Sequence, residues 1–200
     1  MSEKYIPFTP QDCAILRIGH QPGVMGMVKS LSPGVVAANV GILARLGEHT
    51  AMPLVVTTIR EQLDYIGTSI EEIRNGAPAA YANRVARGGV VDAFADPRFV
   101  EAVKATDRQN LIMAGILTDV YLWHSALSAL DAGYRVRVIA DANGTTSELA
   151  DRVTYHRLRS LGAEVSSTYG TLFELYMDFT TPEGQLAEAI AAGQDLTTAA

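Results

Sequence analysis

Apolar runs of strand length alternate with longer stretches of helical periodicity along most of this chain. Continuous apolar or β-branched runs predict strands at 13–18, 53–59, 110–117, 134–140 and 164–168. The segments between and after them predict helices at 35–46, 69–75, 96–105, 119–132, 148–161 and 172–179. The run 110–117 is apolar almost throughout, which is typical of a strand covered on both faces of a parallel sheet.

Residues at the ends of the predicted helices support this pattern. Pro33 and Gly47 bracket the helix at 35–46, and Pro97 falls in the first turn of the helix at 96–105. Thr118 is the expected N-cap of the helix at 119–132, with Gly133 at its end. Strands that alternate with helices of this length predict a three-layer α/β/α sandwich around a doubly wound parallel sheet of about six strands.

The pattern predicts one domain over 1–179 and a tail over 180–200. The tail is rich in Ala, Gly and Thr, and a short helix is expected around 185–192 before the end frays. Alternatively, the tail is an interface, since Leu186, Ala189 and Ile190 give it an apolar side that can dock on a neighbouring subunit.

The composition narrows the class of protein. Hydrophobic residues make up 48% and charged residues 19% of 200 residues, which is typical of a globular domain. The net charge of −6 gives no electrostatic support for a nucleic-acid partner or an anionic membrane. Neither a spanning apolar stretch nor a signal-peptide pattern is visible, so a cytoplasmic location is expected. A single cysteine, Cys13, fits a reducing compartment.

Metal and cofactor chemistry find no support in the sequence. The four histidines are scattered without zinc-type spacing, and there is no cysteine cluster. We therefore expect a protein that uses neither a metal nor a cofactor and that binds a small molecule.

Three motifs carry a resemblance to a known family. They are the strand and turn at 15–23 (ILRIGHQPG), the segment 86–94 (ARGGVVDAF), and the stretch 114–121 (AGILTDVY), which continues through 125–129 and 141–145. In this combination the chain resembles the isochorismatase-like cysteine hydrolase superfamily, in particular its YcaC-type branch of bacterial hydrolases. The resemblance covers about 5–179.

The resemblance implies an α/β/α fold and hydrolysis of amides and related bonds by an Asp, a Lys or Arg, and a Cys. The Asp position is Gly19 here, the Cys position is Tyr121, and the basic position is Arg87. The resemblance also implies a cis peptide between Leu117 and Thr118, and a homo-oligomer such as a tetramer or an octamer.

Loss of the thiol and the carboxylate argues against covalent hydrolysis in the family's manner. A thiolate mechanism needs an activated cysteine and a base. Cys13 lies at the start of the first strand, away from the expected site, where a buried small side chain is the simpler interpretation. A phenol has a pKa near ~10 and needs a neighbouring cation such as Arg87 to ionise at neutral pH.

Several side chains near the predicted strand ends are candidates for the site. Those with an expected role in acid–base or electrostatic catalysis are Arg87, Tyr121, His20 and His124. Those expected to bind substrate are Gly19, Leu117, Thr118 and Trp123.

Each candidate also has a structural interpretation. Tyr121 can fill a pocket as a core aromatic, and His20 can belong to the turn. His124 and Trp123 can serve helix packing. Arg87 can form an ion pair with Asp92 or Asp141.

Three functions remain compatible with the sequence. The first is a repurposed enzyme that acts without a covalent intermediate on a small anionic or carbonyl-bearing metabolite. The second is a non-catalytic binding or assembly protein. The third is a hydrolase with an unrecognised nucleophile, such as Tyr121 or Ser125.

Overall fold

A computed structural model describes residues 5–194 and 196. Six parallel strands form one sheet in the order β3-β2-β1-β4-β5-β6. Their bounds are β1 Cys13–Ile18, β2 Leu54–Ile59, β3 Val85–Arg87, β4 Asn110–Gly115, β5 Arg135–Ile139 and β6 Glu164–Ser166. The predicted three-layer fold with a doubly wound sheet of six strands is therefore confirmed.

Helices cover both faces of this sheet. They are α1 Pro22–Met25, α2 Pro33–His49, α3 Glu71–Gly76, α4 Pro78–Ala82, α5 Pro97–Lys104, α6 Trp123–Asp131, α7 Glu148–Ser160, α8 Thr168–Leu175 and α9 Pro182–Ala191. Side chains of β1 alternate between two cores. Cys13 and Ile15 pack towards α2, α8 and α9, whereas Leu16 and Ile18 pack towards α5, α6 and α7.

Several element ends differ from the sequence prediction. Strand β3 was not predicted, since three residues of mixed polarity carry little periodic signal. Helix α8 spans Thr168–Leu175 rather than 172–179, because the Ser167 side chain accepts a hydrogen bond from Gly170 N and caps the helix there.

The predicted tail helix forms as α9 and packs on the chain itself. Ile190 is buried in the core beneath α2, and Leu186 packs against the same cluster. These two side chains are therefore engaged within the subunit rather than free to dock on a neighbour. The predicted fraying concerns the end of the tail, where residues 195 and 197–200 lie outside the described part of the chain.

Candidate active site at the carboxyl edge of the sheet

The first strand ends in a tight turn that contains Gly19, the position at which the family resemblance implies an aspartate. Gly19 has a φ of +70°, and a Cβ built on it would lie 2.9 Å from the carbonyl oxygen of Ile116. Its N–H donates to Thr57 O at 2.9 Å, which fixes the turn against β2. The position is thus a buried backbone turn against β4, with no room for a side chain as it stands.

His20 is the next residue of this turn, and its side chain connects the end of β1 to the segment that follows β5. Its ring lies 3.0 Å from the carbonyl oxygen of Ala142, beyond the end of β5, and the side chain is 1% exposed. Burial, together with the charge of Arg17, lowers the pKa of His20 to about 3, so the ring is neutral at physiological pH. The structure favours the turn interpretation over the predicted catalytic role.

Arg87 closes β3 and lies almost fully buried at the same edge. Its Nε donates to Thr57 Oγ1 at 2.9 Å, and its Nη1 donates to the carbonyl oxygen of Val90 at 2.8 Å. Its Nη2 is buried without a hydrogen-bond partner. Burial lowers the pKa of Arg87, while the negative charges of Asp96, Asp92 and an ionised Tyr121 act in the opposite direction.

The expected ion pairs of Arg87 do not form. Asp92 accepts hydrogen bonds from Phe94 N and from Ser128 Oγ, the latter at 2.6 Å. Asp141 instead caps α8 by accepting from Thr168 N and Oγ1. Both carboxylates are held by nearer donors, so the prediction that either one pairs with Arg87 was wrong.

A small cavity opens beside this guanidinium. It has a volume of about 180 Å³ and is lined by Arg87, Gly88, Val90, Ala95, Asp96 and Pro97. A Cβ added at Gly88 would meet no atom within 4 Å, so this wall is open. The cavity has room for a small ligand with an anionic group.

The segment after β4 differs from the predicted helix start. The cis peptide joins Ile116 and Leu117, one residue before the expected position. Thr118 is not an N-cap, since it begins a turn of π-helix over Thr118–Leu122, in which Leu122 N donates to Leu117 O at 3.3 Å. The Thr118 N–H donates to Gly144 O at 3.1 Å, so it is already used within the fold.

Tyr121 lies in this π-turn, partly buried between the two cores. Its carbonyl oxygen accepts a hydrogen bond from Ser125 Oγ at 2.7 Å, and Ser125 Oγ accepts one from Ala93 N at 3.0 Å. Ser125 is fully buried and its hydroxyl both donates and accepts a hydrogen bond, so the structure gives no support to the hypothesis that it acts as a nucleophile. Instead it fastens the loop that follows Arg87 to the turn that carries Tyr121.

The structure does not bring Trp123 and His124 to the cavity. Trp123 is buried in the core beneath α7, with the guanidinium carbon of Arg157 3.7 Å from its ring centroid. His124 is exposed on α6. Neither lines the cavity at Arg87, so the substrate role predicted for Trp123 and the catalytic role predicted for His124 find no support.

Cys13 lies at the opposite edge of the sheet. It is fully buried, its Sγ donates to Asp12 Oδ1 at 3.2 Å, and burial raises the pKa of the thiol. A thiol that stays protonated at this distance from the strand ends does not replace a nucleophile in the π-turn.

Gln21 and Asn143 are structural residues of this edge that sequence reasoning missed. The Gln21 amide bonds to the backbone of Ile59 and to Gly67 O, which ties the β1 turn to the end of β2. Asn143 Oδ1 accepts from Gly115 N at 2.8 Å, at the end of β4. Buried amides directly after strands are the signal that would have identified them.

Comparison with known proteins places this chain in a family. Residues 32–169 match the isochorismatase domain, and the chain belongs to the isochorismatase family. It is 32% identical to "Probable hydrolase YcaC" of Escherichia coli strain K12 over 90% of this chain and 85% of that protein.

Two solved structures share the fold at similar identity. The Escherichia coli YcaC gene product, described as an octameric hydrolase of unknown specificity, has a TM-score of 0.87 at 30% identity and covers 96% of this chain and 94% of its own. YcaC from Pseudomonas aeruginosa, with hexane-2,5-diol and covalent acrylamide, has a TM-score of 0.88 at 32% identity and covers 99% and 96%. This chain is therefore an isochorismatase-family, hydrolase-like protein similar to YcaC.

Within the described residues, no helix has the length and apolarity needed to cross a membrane. The same residues contain no group of three or more His, Cys, Asp or Glu side chains arranged to hold a metal ion.

Proposed function

We propose that this protein is a repurposed enzyme of its family, which binds a small anionic or carbonyl-bearing metabolite at Arg87 and acts on it without a covalent intermediate. The observation that carries the proposal is the buried Nη2 of Arg87, which has no partner and belongs to a side chain that lines a cavity. A carboxylate or a polarised carbonyl would supply the missing acceptor, since charge-assisted hydrogen bonds to guanidinium are among the strongest in proteins.

In this proposal Arg87 and Tyr121 have different roles. Arg87 stabilises negative charge on the bound group, and it does not transfer a proton because it remains a cation. Tyr121 is the candidate acid, because it lies in the π-turn that follows β4 at the same edge of the sheet as Arg87, although it is not among the residues that line the cavity. His20 takes no part, because its ring is neutral and engaged with Ala142.

Replacing Arg87 with alanine is expected to weaken binding of small carboxylates by about tenfold, the loss of one charge-assisted hydrogen bond. Acetate, pyruvate and benzoate, each compared with its primary amide, are suitable probes by calorimetry or by thermal stabilisation. Arg87→Lys is the matched control, since it keeps the charge and loses the planar fork. Equal carboxylate affinity in the Arg87→Ala and unaltered proteins would refute the proposed anion site.

A screen of esters, amides and vinyl ethers distinguishes the repurposed enzyme from a non-catalytic binding protein. Turnover that is lost in Arg87→Ala and reduced in Tyr121→Phe supports catalysis at this edge. Saturable stabilisation by carboxylates without turnover supports the alternative, a ligand-binding or assembly protein of the same fold. A trapped covalent adduct on Tyr121 would instead support a hydrolase with an unrecognised nucleophile.

We also propose that the chain assembles as a homo-oligomer in the cytoplasm. Its similarity to an octameric relative supports this, as do exposed apolar side chains such as Ile6, 64% exposed, and Met177, 76% exposed. Size-exclusion chromatography with light scattering is expected to give a mass several times that of the 21.4 kDa chain. A monomer at micromolar concentration would contradict the assembly.

A further inference from the structure

A second cavity lies on a different part of the molecule, between the loop before α2, the end of β5 and the first turns of α7. It has a volume of about 360 Å³, and none of its lining residues is shared with the cavity at Arg87. Leu31, Ala140 and Tyr155 form apolar parts of its wall, while Ser30, Glu148 and Asp151 contribute polar groups.

The unusual group in this wall is Asp151. The residue is 7% exposed, and its Oδ1 is buried without a hydrogen-bond partner. Burial raises the pKa of Asp151, and the negative charge of Asp119 adds to the shift, while the nearby hydroxyls of Ser30 and Thr118 oppose it. The hydroxyls of Ser30 and Thr118 lie beside this carboxyl, yet its Oδ1 makes no hydrogen bond, so a carboxyl in the cavity wall has room for a further donor from outside the fold.

The charges around the cavity favour a cation as that partner. Asp141 and Glu148 line it together with Asp151, and Asp119 acts on Asp151 from the π-turn. Arg152 is the opposing charge on the wall, and its side chain is exposed. The Asp141 carboxylate is already engaged with Thr168, which leaves Asp151 as the buried acceptor.

We propose that this cavity is a second ligand site, which binds a small primary alkylammonium with its charged head against Asp151 and its alkyl chain against Leu31 and Tyr155. An ammonium group provides three donors, which suit a carboxylate and the neighbouring Ser30 hydroxyl. The apolar wall contributes by removing the alkyl chain from water.

Affinity for the ammonium rises with pH in this arrangement. The ligand stays protonated between about pH 5 and pH 8, whereas Asp151 must lose its proton to pair with it. Because burial raises the pKa of Asp151, the gain occurs above the usual range of a carboxyl group. Asp119, Asp141 and Glu148 reinforce attraction of the cation, Arg152 opposes it, and the Tyr155 phenol remains neutral because burial raises its pKa.

Titration of the full chain with butylammonium chloride, followed by NMR or calorimetry, tests the site. Asp151→Asn is expected to weaken binding about tenfold and to remove its pH dependence. This variant should keep the fold, since it removes a carboxylate that burial disfavours. Glu148→Gln on the exposed rim should change affinity about twofold at most, and Arg87→Ala should leave it unchanged, which separates this site from the proposed anion site.

Four results would overturn the proposal. Butylammonium could bind Asp151→Asn as tightly as the unaltered protein, or fail to bind the folded protein saturably. Butan-1-ol could bind as well as butylammonium, which would leave Asp151 without a role. A structure of the assembled protein in which a second copy fills the cavity would assign it to an interface instead.

Discussion

Replacing Arg17 with methionine is expected to stabilise the folded protein by about 1–4 kcal/mol. Arg17 lies in the central strand β1 and is fully buried. Its Nη2 donates to the carbonyl oxygen of Val40 at 3.0 Å, while Nε and Nη1 are buried without partners. Among residues 5–194 and 196, no carboxylate lies within ion-pairing distance of it. Methionine fills similar space without removing a charge from water.

Arg137→Met is the matched control for this prediction. Arg137 is also buried in the sheet, but it pairs with Glu164 at 2.6 Å and Glu174 at 2.8 Å. Its removal is expected to destabilise the fold by about 1–3 kcal/mol, because both carboxylates lose a charged partner, leaving Glu164 with only Arg135 and Glu174 with only the Tyr5 hydroxyl. Urea denaturation of the two variants beside the unaltered protein should therefore move the midpoint in opposite directions.

The pH dependence of the Arg17 effect provides a second check. Burial lowers the pKa of Arg17 from its ordinary value to about 9. Below about pH 9 Arg17 carries its proton in both the folded and the unfolded chain, so the folded protein bears the full cost of burying the charge. Above that value the folded chain releases the proton before the unfolded chain does, and the unaltered protein gains stability as the pH rises. The advantage of Arg17→Met should therefore narrow above about pH 9. A variant that is less stable at every pH would show that the interior supplies Arg17 with a partner.

The fold was predictable from sequence because its central strands are continuous buried apolar runs and its main helices are long enough to show a clear period. Strands β1 and β4 are short apolar runs beside helices of clear periodicity, and their mutual pairing places them at the centre of the sheet. Short elements such as β3 and α4 were missed, since three to five residues do not establish a period.

The sequence predicted which strand ends carry the candidate residues, but it did not predict the directions of their side chains. Gly19, Arg87 and Tyr121 follow the carboxyl ends of β1, β3 and β4, which lie at one edge of any parallel sheet. The directions of Trp123 and His124 could not be read from the sequence. The π-turn over Thr118–Leu122 holds about one residue more than a regular turn, which rotates later side chains by about 100° relative to an α-helix begun at Asp119.

Hydrogen-bond partners were the second property that the sequence did not specify. The sequence offers Asp92 as a partner for Arg87, whereas in the structure its carboxylate accepts hydrogen bonds from Phe94 N and Ser128 Oγ. The acceptor that a buried guanidinium binds is decided by differences of a few tenths of an ångström in donor–acceptor distance. Those distances depend on packing among residues far apart in the chain, such as Thr57 and Arg87.

Replacing Gly19 with alanine is expected to destabilise the protein by about 1–3 kcal/mol. The residue has a φ of +70°, where side chains are strained, and the added Cβ would meet Ile116 O at 2.9 Å. The backbone cannot move freely on either side of this contact. Gly19 N–H donates a hydrogen bond to Thr57 O, and Ile116 N–H donates one to Ile18 O. Thermal or urea unfolding measures the change.

Alanine at two other glycines separates the effect of the positive φ from the effect of the contact with Ile116 O. Gly133 has a φ of +88° with no atom within 4 Å of an added Cβ, so alanine there reports the backbone conformation alone. Gly88 has open space and no positive φ, so alanine there should be close to neutral. The expected order of stability is Gly88→Ala, then Gly133→Ala, then Gly19→Ala. Equal losses at Gly19 and Gly133 would show that the contact with Ile116 relaxes.

An aspartate at position 19 would meet the same backbone and the same carbonyl oxygen. Gly19→Asp, alone or combined with Tyr121→Cys, should therefore lose at least as much stability as Gly19→Ala. Reinstating the acid and the thiol that the family resemblance implies would require the turn after β1 to move away from β4. The opposite result is that Gly19→Asp/Tyr121→Cys matches the unaltered protein in stability and hydrolyses amides or esters. That result would show that the turn adapts readily, and it would contradict the proposal of chemistry centred on Arg87 and Tyr121.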